Sequence, residues 1–417
     1  MKGLKFTALA LGVLLAYGST AAAEEKLLGA ADLSYGEVQV RAELWGDVLS
    51  GGYARNLIVM LKNDGKILTA YTPGIQGGYN CLLEAVQLTA DEPQQLLLSV
   101  GQGDWTAPSQ FRVLDFTDPE EVREIFSGSD NLGLVSEAYI NEENEKLLEI
   151  TLKDGTHHSV ALPEGLEGKG RLFYGGLDSL VPYDVDDDGV QELLTSQQIS
   201  RRRKLLADVG AVWDLQEDGS WKQYSLTIMT SVAVKTNNKI NEGLHFAAGS
   251  FLPRKLVVPG GEATYPVFVG TDLALQDKIN ALLAGEMEPY LDSFYEGKDD
   301  LGFRVIRADD LLFTVQLISG KDNFRHHNIN IDPSTGNEIK LTEVLNAKEK
   351  DLLPLLNILN TNKKVVFKDK LPEEWYLEGR RLFLMQDVDG EEQVSGFAIG
   401  NLHKYLLDKK WLGNKTD

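Results

Sequence analysis

What most limits the fold of this chain is that its apolar runs are short and are punctuated by Asp-Gly. Asn63-Asp64-Gly65, Asp154-Gly155 and Asp218-Gly219 each follow a run of strand length: Leu57 to Leu61, Leu147 to Leu152 and Ala211 to Leu215. Asp-Gly accepts left-handed backbone and joins antiparallel strands through two-residue turns, so the first half reads as β-hairpins. A repeat is superimposed on them. Gly77-Gly78-Tyr79, then Gln95-Leu96-Leu97-Leu98, then Phe111-Arg112-Val113-Leu114-Asp115 returns as Gly175-Gly176-Leu177, Glu192-Leu193-Leu194 and Ala211-Val212-Trp213-Asp214. The offset of 97 to 99 residues is that of a degenerate duplication.

From about Thr236 the pattern changes. Leu273, Leu275, Ile279, Leu282 and Leu283 fall mostly on one helical face. Phe303 to Ile306 and Leu311 to Ile318 read as strands around Ala308-Asp309-Asp310. Leu341 to Leu359 is helical, with Pro354 kinking it or starting a new helix. Phe383 to Met385 and Phe397 to Ile399 are strands flanking Asp387-Val388-Asp389-Gly390, and a last helix is expected over Leu402 to Leu407. The expected fold class is therefore mixed: an all-β repeat domain over 24–235, then an α+β domain over 236–417.

Lys2 and Lys5, the apolar run Phe6 to Ala16 and the small residues Ala21-Ala22-Ala23 have the order of a secretory leader. Cleavage is expected between Ala23 and Glu24, giving a secreted or periplasmic protein. The apolar run is shorter than the roughly 20 residues that span a bilayer, and no later stretch is long and apolar enough to do so. Cys81 is the single cysteine, so no internal disulfide forms, and its strand-like surroundings suit a small buried hydrophobe. The chain holds 63 acids against 41 Lys and Arg, a net charge of −22. That balance argues against nucleic acid and anionic membrane surfaces and favours cationic partners or metal ions.

One segment carries a chemical motif. Asp184-Val185-Asp186-Asp187-Asp188-Gly189-Val190-Gln191-Glu192 fits D-x-D-x-D-G-x-x-E. Calcium takes six to eight oxygens, and alternate carboxylates converge on it when a glycine lets the backbone curl. The expected ligands are Asp184, Asp186, Asp188 and Glu192, with the carbonyl of Val190. An EF-hand would need glutamate at loop position 12, where this chain has Thr195, and neither flank reads as a long helix. The expectation is a structural calcium loop in a β-context, of the weak affinity found in extracellular modules.

This loop, followed by Leu193-Leu194 and set among Gly-Gly turns, resembles the FG-GAP/VCBS-type repeat of extracellular β-propeller proteins. The resemblance implies a partial, propeller-like β-repeat. The corresponding segment of the first copy, Gln87-Leu88-Thr89-Ala90-Asp91, keeps one acid and should bind no calcium. The second half has its own likeness. Tyr265-Pro266-Val267-Phe268, Gln276-Asp277-Lys278-Ile279-Asn280, Leu311 to Val315, Asp332-Pro333-Ser334-Thr335-Gly336 and the ending from Trp375 to Ile399 are similar, in that order, to an extracytoplasmic (RsiV-like) domain. That domain occurs in lysozyme-sensing anti-sigma factors and beside peptidoglycan deacetylases. Where such domains carry a Gly-Gly-Ala-His-like segment, this chain has Phe324-Arg325-His326-His327. The resemblance implies a non-catalytic domain, with Arg325, His326 and His327 as candidate partner-binding residues.

Motifs for other chemistries fail. There is no G-x-S-x-G elbow, no H-E-x-x-H zinc helix and no P-loop. Adjacent histidines at His157-His158 and His326-His327 point to opposite sides of a strand and so rarely share a metal. Arg201-Arg202-Arg203-Lys204 reads as a solvated loop or a local anion contact. The leading expectation is a secreted, non-catalytic envelope binding protein whose partner is a basic extracellular protein such as lysozyme or a cell-wall glycan. The rival classes are a carboxylate-based hydrolase of wall glycans and a passive envelope scaffold.

Overall fold

A computed structural model of the chain describes residues 24–412 apart from 36–37, 91–92, 103–108, 119–121, 128–132, 163–164, 167, 169, 187, 202–203, 231–233, 239–249, 259–260, 271, 296, 322 and 349. The predicted leader, Asp91, Asp187, Arg202 and Arg203 lie outside the described residues. Strands dominate, with a few helices, and no closed barrel or propeller is formed among the described residues.

β1 (Glu24–Tyr35), β2 (Val38–Val48), β3 (Ala54–Asn63), β4 (Lys66–Tyr71), β5 (Gly77–Val86), β6 (Gln95–Gly101), β7 (Gln110–Asp115) and β8 (Arg123–Ser127) build an eight-stranded sheet. Its order is β1-β2-β3-β5-β6-β7-β8, with β4 paired to β3. Cys81 is buried in β5, where burial pushes its thiol up to about 11, so it packs as an inert apolar group. β9 (Val135–Ile140), β10 (Leu147–Leu152) and β11 (His157–Ala161) form a three-stranded sheet. β12 (Ser179–Tyr183), β13 (Glu192–Arg201), β14 (Lys204–Leu215), β15 (Trp221–Met229) and β16 (Val234–Asn238) then make a five-stranded antiparallel meander. β16 carries that sheet across position 236, where the sequence changes character.

The three Asp-Gly turns are not alike. At Asp64-Gly65 both residues have positive φ (48° and 75°), as a two-residue turn requires. At Asp154-Gly155 and Asp218-Gly219 only the glycine does, and the hairpins close one residue later, by Leu152 N–H to the Thr156 carbonyl and Gln216 N–H to the Ser220 carbonyl. These are three-residue turns with the glycine in the left-handed position. The two-residue geometry recurs at Asp389-Gly390, where φ is 55° and 82°.

The sequence repeat coincides with two four-stranded meanders, β5 to β8 and β12 to β15. They pack on each other through Leu88, Leu97 and Phe126 of the first copy and Leu180, Leu193 and Trp221 of the second. The Trp221 indole N–H donates to the Ile125 carbonyl at 3.2 Å.

The rest of the chain adds β17 (Ser250–Val258), β18 (Gly261–Val269), α1 (Leu273–Tyr295), β19 (Leu301–Ala308), β20 (Phe313–Ser319) and β21 (Arg325–Ile331), the five strands forming one sheet in that order. β18 and β19 are parallel, which demands a crossover, and α1 supplies it. Ile279, Leu283 and Met287, one turn apart, face Tyr265, Val267 and Val315 in the core. Gln276 and Asn280 on the same helix are fully buried and bond the backbone of Gly270 and Phe268. Polar residues at these core positions thus dock the helix against β18 and the residue that follows it. α2 (Leu341–Val344), α3 (Leu352–Leu359), β22 (Trp375–Glu378), β23 (Arg381–Val388) and β24 (Glu391–Ala398) enclose a separate core that includes Val344, Leu356, Trp375 and Phe397. Pro354 lies in the first turn of α3, where its missing N–H costs nothing. The helix expected over Leu402 to Leu407 is not formed: a 3-10 turn at Ile399–Leu402 is followed by a turn over 403–405, and a second 3-10 turn comes only at Lys409–Leu412. The β-bridge of Leu345 with Leu406 interrupts the α pattern.

A buried polar knot joins the two sheets of five strands. Arg254 of β17 is 4% exposed and donates to the Thr195 carbonyl of β13. Tyr265 of β18 donates to Asp208 Oδ2 of β14 at 2.7 Å, and Ser196 donates to Asp208 Oδ1. The guanidinium lies where Gly210 of β14 leaves room: a Cβ there would sit 1.9 Å from Arg254 Cζ. Gly210→Ala is therefore expected to destabilise the protein by about 1–3 kcal/mol through overpacking. Urea denaturation reads this directly, and an unchanged midpoint would mean that Arg254 leaves its seat at no cost.

Candidate functional site

Two clusters of titratable side chains gather the residues that the sequence singles out. The first is the acidic loop. Tyr183 of β12 pairs with Glu192 of β13, so residues 184–191 form the connection of an antiparallel hairpin. Carboxylate oxygens of Asp184, Asp186 and Asp188 lie within 4.8 Å of one another. The backbone curls around them. Asp184 accepts from the N–H groups of Asp188 (3.1 Å) and Gly189 (2.9 Å), and Asp188 accepts from Val190 N–H (2.7 Å). Gly189 has φ +90°, which a side chain would resist.

Glu192 stands apart from that trio. It is 3% exposed, and its Oε2 accepts from Val185 N–H at 2.9 Å. Burial, followed by the nearby charge of Asp186, pushes its carboxyl up to about 8. Asp214 of β14 was not singled out from the sequence, yet burial and then Asp188 and Asp186 raise its carboxyl as well. A signal for it existed in the repeated Val-x-Asp, where it matches Asp115. The donor set is all oxygen and strongly acidic, which suits a hard divalent cation rather than a soft one.

The second cluster sits where α1, β21 and the sheet of β22 to β24 meet. His327 places both ring nitrogens against carboxylates: Nδ1 is 2.7 Å from Glu374 Oε1 and Nε2 is 2.9 Å from Glu286 Oε2 of α1. A neutral imidazole has one N–H, so satisfying both acceptors requires the charged ring. Burial opposes that charge, but Glu374 and Glu286 together raise the His327 pKa above its ordinary value. Tyr290 stacks on the ring, and burial with Glu374 and Glu286 pushes its phenol up to about 12. Glu374 also accepts from Asn328 N–H at 2.8 Å. His326 turns to a different partner, Glu392 of β24, at 2.6 Å, so the adjacent histidines do not converge. Arg325 is exposed and lies 3.6 Å from Asp387. The three candidate partner-binding residues therefore share one junction, and each already has an acidic partner. Of the other pair, His157 is half exposed and bonds Glu149 at 3.1 Å on the β10–β11 hairpin.

Because the folded state holds the His327 proton more tightly than the unfolded chain does, its stabilising effect is complete below about pH 6.5 and is lost as pH rises through the raised pKa. Thermal melting followed from pH 6 upward should show that loss in the wild type and a flatter profile in His327→Gln. Identical profiles would remove the charged bridge.

No family model matches the chain, and no curated protein matches it. Among solved structures, a Bacteroides fragilis protein described as a member of the DUF3298 family aligns with 40% of this chain and 94% of its own length. The identity is 12% and the TM-score 0.28, too low to assign a shared fold.

Proposed function

We propose that this chain is an exported, non-catalytic binding protein of the cell envelope, with one structural calcium loop in its β-repeat region. The observation that carries the metal reading is the convergence of Asp184, Asp186 and Asp188 on one hairpin connection. Like charges so close repel unless a cation lies among them, and in this reading the Val190 carbonyl and Glu192 complete the set. In this reading residues 24–235 are a partial, propeller-like repeat domain of FG-GAP/VCBS type, and residues 236–417 an α+β domain of the lysozyme-sensing kind. The leader-like start, the absence of catalytic motifs from the sequence and the charge of −22 support the assignment. The partner is a basic extracellular protein such as lysozyme, attracted by the acids that surround Arg325, His326 and His327.

Calcium at tenfold above its dissociation constant should add about 1.4 kcal/mol of stability. Melting temperature should then rise with calcium in the wild type and respond little in Asp186→Ala or Asp188→Ala. An equal response in wild type and variants would place the ion elsewhere.

The partner is tested by binding of the leader-free protein to lysozyme at about 0.15 M salt, where exposed charges are screened beyond roughly 8 Å. An equally basic unrelated protein serves as control. Preference for lysozyme, weakened when the exposed acid beside Arg325 is reversed by Asp387→Lys, is the expected result. Equal binding of the two basic proteins would reduce the interaction to net charge.

A further inference from the structure

Among the described residues, the only charges lining one large cavity of this acidic protein are positive. The cavity, of about 560 Å3, lies where β9, the turn after β10 and the segment 171–176 meet β13. That is within the range of small-molecule sites, roughly 300–1,000 Å3. Its back wall is rigidly built. Gln197 of β13 accepts from the N–H groups of Leu134 (2.7 Å) and Val135 (2.9 Å), and its amide donates to the Tyr174 carbonyl at 2.6 Å. Phe173 and Ser200 exchange backbone hydrogen bonds at 2.9 and 3.0 Å. One side chain and one β-bridge thus fix three segments that are distant in sequence.

Among the described residues Lys153 and Arg171 line this cavity, and no carboxylate does. Both are exposed, and among the described residues neither forms an ion pair with an acid. The Arg171 guanidinium lies 5.5 Å from the centroid of the Phe173 ring. Two cations without an acidic partner, side by side in one cavity, can take up a negative charge from outside. Leu172, Val135 and Ala138 supply an apolar wall beside them. The acids Glu142 and Glu145 line a second cavity of about 240 Å3 that shares Ala138 and Leu172 with the first.

We infer that the cavity beside Gln197 binds a small organic anion, its carboxylate or phosphate held by Lys153 and Arg171 and its apolar face against Leu172 and Val135. The site is separate from the acidic loop and from the His327 junction, and its test depends on neither. The full chain is titrated by calorimetry with benzoate, phenyl phosphate and, as the neutral control, benzyl alcohol. Saturable binding of at least one anion and none of the alcohol is expected, and the stronger of the two anions identifies the head group. Lys153→Met and Arg171→Met should each weaken binding by about tenfold, the worth of one charge-assisted hydrogen bond, with melting unchanged. The inference is overturned if neither anion saturates by about 10 mM. It is equally overturned if binding survives in the double variant.

Discussion

The arrangement of the two halves depends on a buried charge that is held by backbone rather than by a neighbouring acid alone. Arg254 belongs to the strand that opens the second half, yet its guanidinium lies in the sheet of the first, over Gly210 and against the Thr195 carbonyl. A guanidinium out of water is tolerated only where hydrogen bonds replace its hydration. Asp208, held by Tyr265 and Ser196, supplies a second polar link within the same layer. Around this knot the packing is apolar and continuous: Val212 and Tyr224 of the first half share a cluster with Leu252 and Val269 of the second. The polar contacts fix the register of the sheets and the apolar ones hold them together. Sheets joined in this way answer to mutation as one body, even though their sequences change character at the join.

The repeat reaches down to single hydrogen bonds. In the second copy Val185 N–H is accepted by the side chain of Glu192; in the first, Leu88 N–H is accepted by the side chain of Gln95 at 3.1 Å. Both positions are related by the 97-residue offset. Charge is what separates the copies. Where the second has buried Glu192, the first has neutral Gln95. Where the second has Asp214 raised by its acidic neighbours, the first has Asp115, whose pKa is lowered: burial works against that, but Thr117 and Arg123 outweigh it, the latter at 2.5 Å. The first copy neutralises its carboxylate with an internal cation. In the second, Asp188 and Asp186 press on Asp214 instead, a condition under which a bound metal ion stabilises.

Much of this was legible in the sequence, because it depends on local rules. Asp-Gly at hairpin tips, the alternation of the strands, the helix at Leu273 and the loop of alternate aspartates all follow from backbone conformation and short spacing. The turn types were only partly legible, since Asp-Gly serves both two-residue and three-residue turns and the choice lies in how the flanking strands pair. The helix expected at Leu402 fails for the same kind of reason: apolar spacing suggests it, but Leu345 claims Leu406 in a β-bridge. The His327 junction was half visible. Its histidine stood out, whereas Glu286 and Glu374 come from an α-helix and a loop 41 and 47 residues away, and no spacing rule connects them.

The same geometry says how far an ion in the second copy would be felt. Gln191 closes the acidic loop, and its N–H donates to the Gln87 carbonyl at 2.6 Å while its side chain accepts from Gln87 N–H at 2.9 Å. Gln87 begins the corresponding loop of the first copy. The two loops are thus cross-linked by a reciprocal pair of hydrogen bonds, with Leu88 and Leu193 packed in the cluster beneath them. A cation that ordered residues 184–190 would also fix Gln191, and through it the exit from β5. Its stabilising effect would then extend over both meanders rather than over one hairpin.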